Sequence, residues 1–201
     1  TTSAVEMGQE VSTKCATVIS EILGIPFEHI RVECSNSQRV GNSSPTAAST
    51  GTDLNGNASR IAAEKIKSQL LPIAQEMLKN QGIACELEKI CFKDGTVYSA
   101  DYPEKKIEFK DLIRQAYLSR IPLGAYGYYS TPSLSFDREK GKGSPFHYFV
   151  FGAALAQVQI DLLTGEHQIL KVYIVHETGN SLNEDIDRGQ IEGAFIQSMG
   201  W

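Results

Sequence analysis

The chain has 201 residues, a net charge of −5 and 21% charged side chains, without long runs of like charge. This composition is typical of a folded domain and argues against disorder. The lack of a basic patch argues against nucleic acid or an anionic membrane as a partner, and no apolar stretch is long enough to cross a bilayer. We therefore expect a cytoplasmic globular protein.

Two amphipathic helices are predicted in the first part of the chain. Apolar residues recur with helical spacing over 8–23, where Gly24 supplies a C-terminal stop, and again over 53–80. Pro72 should kink or break the second helix. Between the two helices, residues 31–34 are predicted as a short strand.

Hairpins and short helices are predicted in the rest of the chain. The expected elements are two strands within 85–99, a helix over 109–118, and strands over 146–161 and 168–176. Asn183 or Asp185 can cap a last helix that runs to Trp201. The solvated loop at 138–144 is the best candidate for an internal boundary. This order predicts an α+β fold of mixed helices and small antiparallel sheets.

The cysteines and histidines are scattered along the sequence. The four cysteines match neither a zinc knuckle nor a CxxC redox pair, and the four histidines form no ligand pair. Buried, reduced thiols are favoured over a disulfide or a metal site. The sequence therefore predicts no metal site built from side chains, and any metal would have to arrive inside a cofactor.

Three segments could contact a ligand. Gly8-Gln9 opens the first helix, where free N–H groups and a partial positive charge suit an anionic phosphate. The segment Ser43–Thr52, rich in hydroxyls and small side chains, forms a second anion cradle before the second helix. One face of the last helix carries Gln190, Gly193, Ala194 and Gln197. Such a face suits a flat ligand with hydrogen-bonding edges. Each pattern also has an explanation without a ligand. Ordinary turn chemistry explains Gly8-Gln9, a single N-cap hydroxyl explains Ser43–Thr52, and tight helix packing explains the face of the last helix.

Taken together, these segments resemble the molybdopterin-binding subunit of the xanthine dehydrogenase and aldehyde oxidase family, the molybdenum hydroxylases. The motifs that carry the resemblance are Glu6–Gln9 (EMGQ), Asn42–Ser49 (NSSPTAAS), Asp53–Gly56 (DLNG), Pro145–Phe149 (PFHYF) and Asp187–Phe195 (DRGQIEGAF). The resemblance spans nearly the whole chain and is weakest from about Lys79 to Leu123. Because both ends fall inside predicted elements, we expect residues 1–201 to be an internal fragment of the molybdopterin-binding region.

The resemblance implies that the chain holds the pterin of a molybdenum cofactor. It assigns cofactor contacts to Gly8, Gln9, Ala47, Ala48, Ser49, Thr50, Gly51, Thr52 and Gln190. Ala47 and Ala48 would lie against the molybdenum face and leave the substrate pocket open. In this family the dithiolene sulfurs of the cofactor bind the metal, so no protein ligand is implied. The catalytic glutamate is expected downstream, and no catalytic residue is assigned in this chain.

Two positions depart from the family pattern. Glu10 stands where the family has the last glycine of a Gly-Gln-Gly turn, which places a carboxylate near the expected phosphate. Ser130 stands where the family has an arginine.

The resemblance also implies an oxidoreductase that hydroxylates purine-type heterocycles with oxygen derived from water. FAD and 2Fe-2S clusters are expected in other domains or subunits, the rest of the molybdenum subunit is an expected partner, and the full enzyme is expected to be a homo-oligomer. The cofactor could be a mononucleotide or a dinucleotide form. The isolated chain is expected to be inactive. An aldehyde or another N-heterocycle as substrate, and a non-catalytic scaffold domain that kept the fold, remain alternatives.

Overall fold

The first helix, α1, spans Val11–Leu23 in the computed structural model, which describes residues 1–38 and 45–201. The predicted start at Gly8 is wrong, because Gly8 and Glu10 have left-handed φ angles of 97° and 54° that a right-handed helix excludes. Gly24 ends the helix as predicted, with a φ of 60° and its N–H bonded to the Ser20 carbonyl.

The long second helix begins later than its apolar periodicity predicts. Thr52–Gly56 form a π-helical turn, and α2 spans Asn57–Asn80. The Asn57 side chain donates to the Asp53 carbonyl at 2.9 Å, and such side-chain bonds compete with regular helical pairing.

Of the kink or break predicted at Pro72, the break is wrong, since α2 runs through this residue. A proline leaves the carbonyl four residues earlier without its helical donor. Here Pro72 and Ser68 are both exposed, so water can reach that carbonyl, while Leu70 and Ile73 are buried and hold the helix on the core.

The predicted strand at residues 31–34 is also wrong. The Glu33 carbonyl accepts a hydrogen bond from Thr2 N–H at 3.1 Å, but these residues join no β-ladder in the part of the chain that the structure describes. A strand requires a neighbour that is paired over several residues, and among the described residues, 31–34 have no such ladder.

A three-stranded antiparallel sheet follows α2. It consists of β1 (Ile90–Lys93), β2 (Thr96–Ser99) and β3 (Tyr102–Glu108), in that order. The predicted hairpin is confirmed at Asp94-Gly95, where both residues have positive φ, although residues 85–89 lie outside it. The third strand was not predicted, because Ile107 is its one buried residue and no apolar alternation marks it. The next helix, α3, spans Phe109–Leu118 as predicted.

The main core lies between α2, the sheet and α3. Its buried residues are Leu70, Ile73, Ala74, Leu78, Ile83, Ile90, Phe92, Val97, Ile107, Leu112 and Ala116. A smaller cluster of Ala4, Val11 and Cys15 anchors the start of α1. All four cysteines are free thiols, and burial raises the pKa of Cys15. The predicted burial is wrong for Cys34, which is exposed.

Two hairpins and a helix make up the remainder. The strands β4 (Ser135–Asp137) and β5 (Lys142–Ser144) pair, so the prediction of a loop throughout 138–144 is wrong. The longer strands β6 (Gly152–Ile160) and β7 (His167–His176) also pair, and β6 begins later than predicted.

The last helix, α4, spans Glu184–Gly200. Asn183 caps it as predicted, with its side-chain oxygen accepting from Ile186 N–H at 3.2 Å. No helix among the described residues is long and apolar enough to cross a membrane.

The contacts divide the chain into two units, Thr1–Ser130 and Thr131–Trp201. The first unit contains α1 to α3 and the three-stranded sheet, and the second contains the two hairpins and α4. The predicted α+β class is confirmed.

Candidate functional site

Residues 5–10 form a turn ahead of α1, here called the N-terminal turn, which fixes the side-chain amide of Gln9. The Gln9 Nε2 group donates to the Val5 carbonyl at 2.8 Å, and Gln9 Oε1 accepts from Met7 N–H at 2.6 Å. An amide has two hydrogens and two lone pairs, so these bonds leave one of each. The turn therefore orients an amide that retains one donor and one acceptor.

The carboxylate of Glu6 caps α1. Its Oε1 accepts from Gly8 N–H at 3.3 Å and from Glu10 N–H at 2.7 Å, and its Oε2 accepts from Ser12 N–H at 3.1 Å. Partial burial raises the pKa of Glu6, but the hydrogen bonds from Ser12, Glu10 and Gly8 outweigh it and hold the pKa below its usual value.

The Glu6 carboxylate competes with the phosphate that the sequence predicts at the start of α1. The amides of Glu10 and Ser12 already donate to the Glu6 carboxylate, so a phosphate on these two amides would have to displace a charged group of the chain itself. Glu10, which the sequence places near that phosphate, has an exposed carboxylate that accepts from Thr13 Oγ1 at 3.0 Å.

The second predicted segment, residues 45–52, is here called the small-residue loop. Ser43 and Ser44, and the Asn42 of the family motif, lie outside the described residues. The loop contains a short 3₁₀ turn over Ala48–Thr50, in which Ala48 has a φ of 58°. Alanine is uncommon in this conformation, and such backbone strain is concentrated at functional sites.

Small, exposed groups line this loop. Ala47, Ala48 and Ser49 are exposed, whereas Thr50 is partly buried and its hydroxyl donates to the Ala47 carbonyl at 3.3 Å. The loop therefore presents short side chains and a hydroxyl at an exposed surface, where backbone groups can be approached closely.

Two hydrogen bonds join the N-terminal segment to residues 45–56, and a third, within 45–56, holds one of their partners in place. Val5 N–H donates to Thr46 Oγ1 at 2.8 Å, Thr2 Oγ1 donates to Asn55 Oδ1 at 2.8 Å, and Asn55 Nδ2 donates to the Gly51 carbonyl at 3.0 Å. The structure thus brings the segment containing Gly8 and Gln9 together with the loop containing Ala47–Thr52.

The remaining predicted residue, Gln190, lies on α4 in the second unit. Gln190, Gly193, Ala194 and Gln197 are all exposed. A Cβ atom added to Gly193 would meet nothing within 4 Å. The predicted face of α4 is therefore exposed.

No role is predicted from the sequence for Glu6 or Asn55, and Thr46 is predicted only as one of several hydroxyls in Ser43–Thr52. An acidic residue just ahead of a helix is a capping signal that could have identified Glu6. The roles of Thr46 and Asn55 depend on partners 41 and 53 positions away, and no local pattern reveals them.

The described residues contain no group of three or more His, Cys, Asp or Glu side chains that could hold a metal ion. What the N-terminal turn and the small-residue loop offer is an oriented amide, hydroxyls and closely approachable backbone. These groups suit an organic ligand whose edge both donates and accepts hydrogen bonds.

The amino-acid sequence of the chain matches a family of known proteins. The sequence profile described as "Molybdopterin cofactor-binding domain" matches residues 1–201. Xanthine dehydrogenase of Oryza sativa subsp. japonica is 39% identical over 201 residues, which is 100% of this chain and 13% of that protein. Xanthine dehydrogenase/oxidase of Gallus gallus is 40% identical over 195 residues, or 97% of this chain and 12% of that protein. The chain thus spans about an eighth of the length of these relatives.

Solved structures agree with the sequence match. Quinoline 2-oxidoreductase from Pseudomonas putida 86 superposes with a TM-score of 0.76 at 21% identity, over 98% of this chain and 24% of that one, which shows a shared fold. Carbon monoxide dehydrogenase from Oligotropha carboxidovorans superposes with a TM-score of 0.74 at 26% identity, over 94% of this chain and 22% of that one. Because the family profile covers the whole sequence, the chain belongs to the molybdopterin cofactor-binding domain family.

Proposed function

We propose that the N-terminal turn and the small-residue loop hold the pterin of a molybdenum cofactor. The observation that carries this proposal is the hydrogen bonding that joins the two segments, because it brings the Gln9 amide and the Ala47–Thr52 loop to one region of the first unit. The residues fit the group, since a pterin edge both donates and accepts hydrogen bonds, as the Gln9 amide does.

Each part of the site has a proposed contribution. Gly8 and Gln9 contact the pterin, while Ser49, Thr50, Gly51 and Thr52 bind through hydroxyl and backbone groups. Ala47 and Ala48 keep the space toward the molybdenum free of bulky side chains. When bound, the cofactor supplies the metal that takes up the electrons of the substrate. The chain binds and orients this group, and the general-base glutamate is expected elsewhere in the subunit.

The parent enzyme is proposed to hydroxylate purine-type heterocycles with oxygen derived from water. The identities of 39% and 40% to proteins named xanthine dehydrogenase support this substrate class. Because the chain spans about an eighth of those relatives, iron–sulfur and flavin groups are proposed to lie in other domains or subunits. A cytoplasmic homo-oligomer is proposed for the full enzyme.

Turnover by the full-length enzyme tests the proposal. The value of kcat/KM for hypoxanthine should exceed that for aldehydes and for quinoline by at least roughly tenfold, because a site built to hydrogen-bond a heterocycle penalises substrates that leave its polar groups unpaired. A preference for aldehydes would overturn the purine assignment. A purified full-length protein without molybdenum and pterin would instead favour the scaffold alternative. The isolated chain should show no turnover.

Gln190 is proposed as a further pterin contact, and Gln190→Leu in the full-length enzyme tests it. Leucine is similar in size but removes the donor and the acceptor, and each lost hydrogen bond contributes about 1 kcal/mol, so cofactor affinity should fall roughly tenfold or more. The molybdenum content per subunit should fall while the melting temperature of the cofactor-free protein stays nearly constant.

Gln168→Leu is the matched control, because Gln168 is also exposed but lies on β7 and has no proposed role. It should retain full molybdenum loading. Full loading in Gln190→Leu as well would show that Gln190 does not hold the pterin.

A further inference from the structure

The carboxylate of Glu6 holds the backbone on both sides of Gln9. One oxygen, Oε1, accepts from Gly8 N–H and from Glu10 N–H, the two residues that flank Gln9. The other oxygen binds Ser12 N–H in the first turn of α1. The Glu6 carboxylate therefore fixes the peptide groups before and after Gln9, and it connects both of them to the first turn of α1.

The backbone around Gln9 needs hydrogen bonds that stabilise its unusual conformation. Gly8 and Glu10 both have left-handed φ angles, and for a non-glycine residue such as Glu10 this conformation is unfavourable without compensating bonds. Hydrogen bonds to a charged acceptor are stronger than neutral ones, so the Glu6 carboxylate can supply that compensation.

The orientation of the Gln9 amide depends on the same turn. Its two intramolecular bonds go to the backbone of Val5 and Met7, on either side of Glu6. Val5 also donates to Thr46 of the small-residue loop. Distortion of the turn would therefore misorient the amide and weaken the connection to the loop.

We infer that Glu6 is a positioning residue, which sets the Gln9 amide and the Gly8 backbone in the geometry that binds the pterin. This inference rests on the proposed function of the N-terminal turn. Glu6 acts through Gln9, because its carboxylate oxygens are bonded to the chain's own amides.

A double-mutant cycle in the full-length subunit tests the inference. Glu6→Ala, Gln9→Leu and the double variant are compared for molybdenum and pterin per subunit, for the rate of cofactor release well below the melting temperature, and for unfolding of the cofactor-free protein. Each single variant should release the cofactor roughly tenfold faster, and the double variant little faster than Gln9→Leu alone, because residues that act as a unit are not additive. Glu21→Gln is the control, since Glu21 is an exposed carboxylate at the other end of α1, and it should release the cofactor at the wild-type rate.

The outcomes separate the inference from the proposed function. Wild-type release and loading in Gln9→Leu would overturn the pterin assignment at the turn, and the inference with it. Fast release in Gln9→Leu beside wild-type release in Glu6→Ala, or additive effects in the double variant, would overturn the role of Glu6 alone. If Glu6→Ala does not fold, Glu6→Gln replaces it in the same cycle, because this change keeps the side-chain size while removing the charge.

Discussion

Gly24→Ala should lower the free energy of unfolding of the protein by about 2–5 kcal/mol. Gly24 has a φ of 60°, where an L-residue costs roughly 1–2 kcal/mol. An added Cβ would also overlap the backbone carbonyl of Phe92 on β1, and relieving such overpacking costs about 1–3 kcal/mol. The Gly24 carbonyl accepts from Gly95 N–H at 2.6 Å, so a shift of α1 would also disturb the β1–β2 turn.

Denaturant titration of Gly24→Ala beside Gly82→Ala separates the cost of the positive φ from the cost of the overlap with Phe92. Gly82 has a φ of 81°, but an added Cβ there would meet nothing within 4 Å. Gly82→Ala should therefore cost only the backbone strain, roughly 1–2 kcal/mol. Equal losses in the two variants would show that the close approach of α1 to β1 contributes nothing.

Ala48→Val should remove most of the bound molybdenum from the full-length enzyme, with a loss of at least roughly tenfold. Ala48 has a φ of 58°, and a β-branched residue at positive φ is a genuine outlier, so the small-residue loop would have to change its backbone. The loop carries most of the proposed pterin contacts, and misplacement of a binding group by about 1 Å can cost a hundredfold in function.

Ala48→Gly provides the control for that result. Glycine adopts left-handed φ readily, so this variant should keep its molybdenum and should not be less stable than the parent protein. Molybdenum per subunit and the unfolding midpoint are measured for both variants. Full loading of Ala48→Val, or equal loss in both variants, would show that the Ala48 conformation does not shape the cofactor site.

Elements with a strong local signal could be predicted from the sequence. The periodicity of α1 and α3, the Asp94-Gly95 turn and the Asn183 cap each depend on neighbouring residues. Elements that depend on distant or solvent-facing groups could not be predicted. The strand β3 is almost entirely exposed and carries no alternation, and α2 continues through Pro72 because the core on its opposite side holds it.

The candidate site also combines features that local sequence predicts with features that depend on distant residues. The residues expected to contact the cofactor came from the resemblance of short motifs, which is local information. The way in which the two segments meet depends on the pairs Val5–Thr46 and Thr2–Asn55, which are far apart in sequence. The bonds from the Glu6 carboxylate to Glu10 N–H and Ser12 N–H also join residues that no local motif pairs.

The most direct test of the central claim is the position of the pterin in a crystal structure of the full-length, cofactor-loaded subunit. The distances to measure join the pterin to the Gln9 amide and to the hydroxyl and backbone groups of Ser49–Thr52. The proposed cradle requires hydrogen bonds from both segments to the same cofactor, at donor–acceptor distances of about 3 Å. A pterin that contacts only one of the two segments, or neither of them, would contradict it.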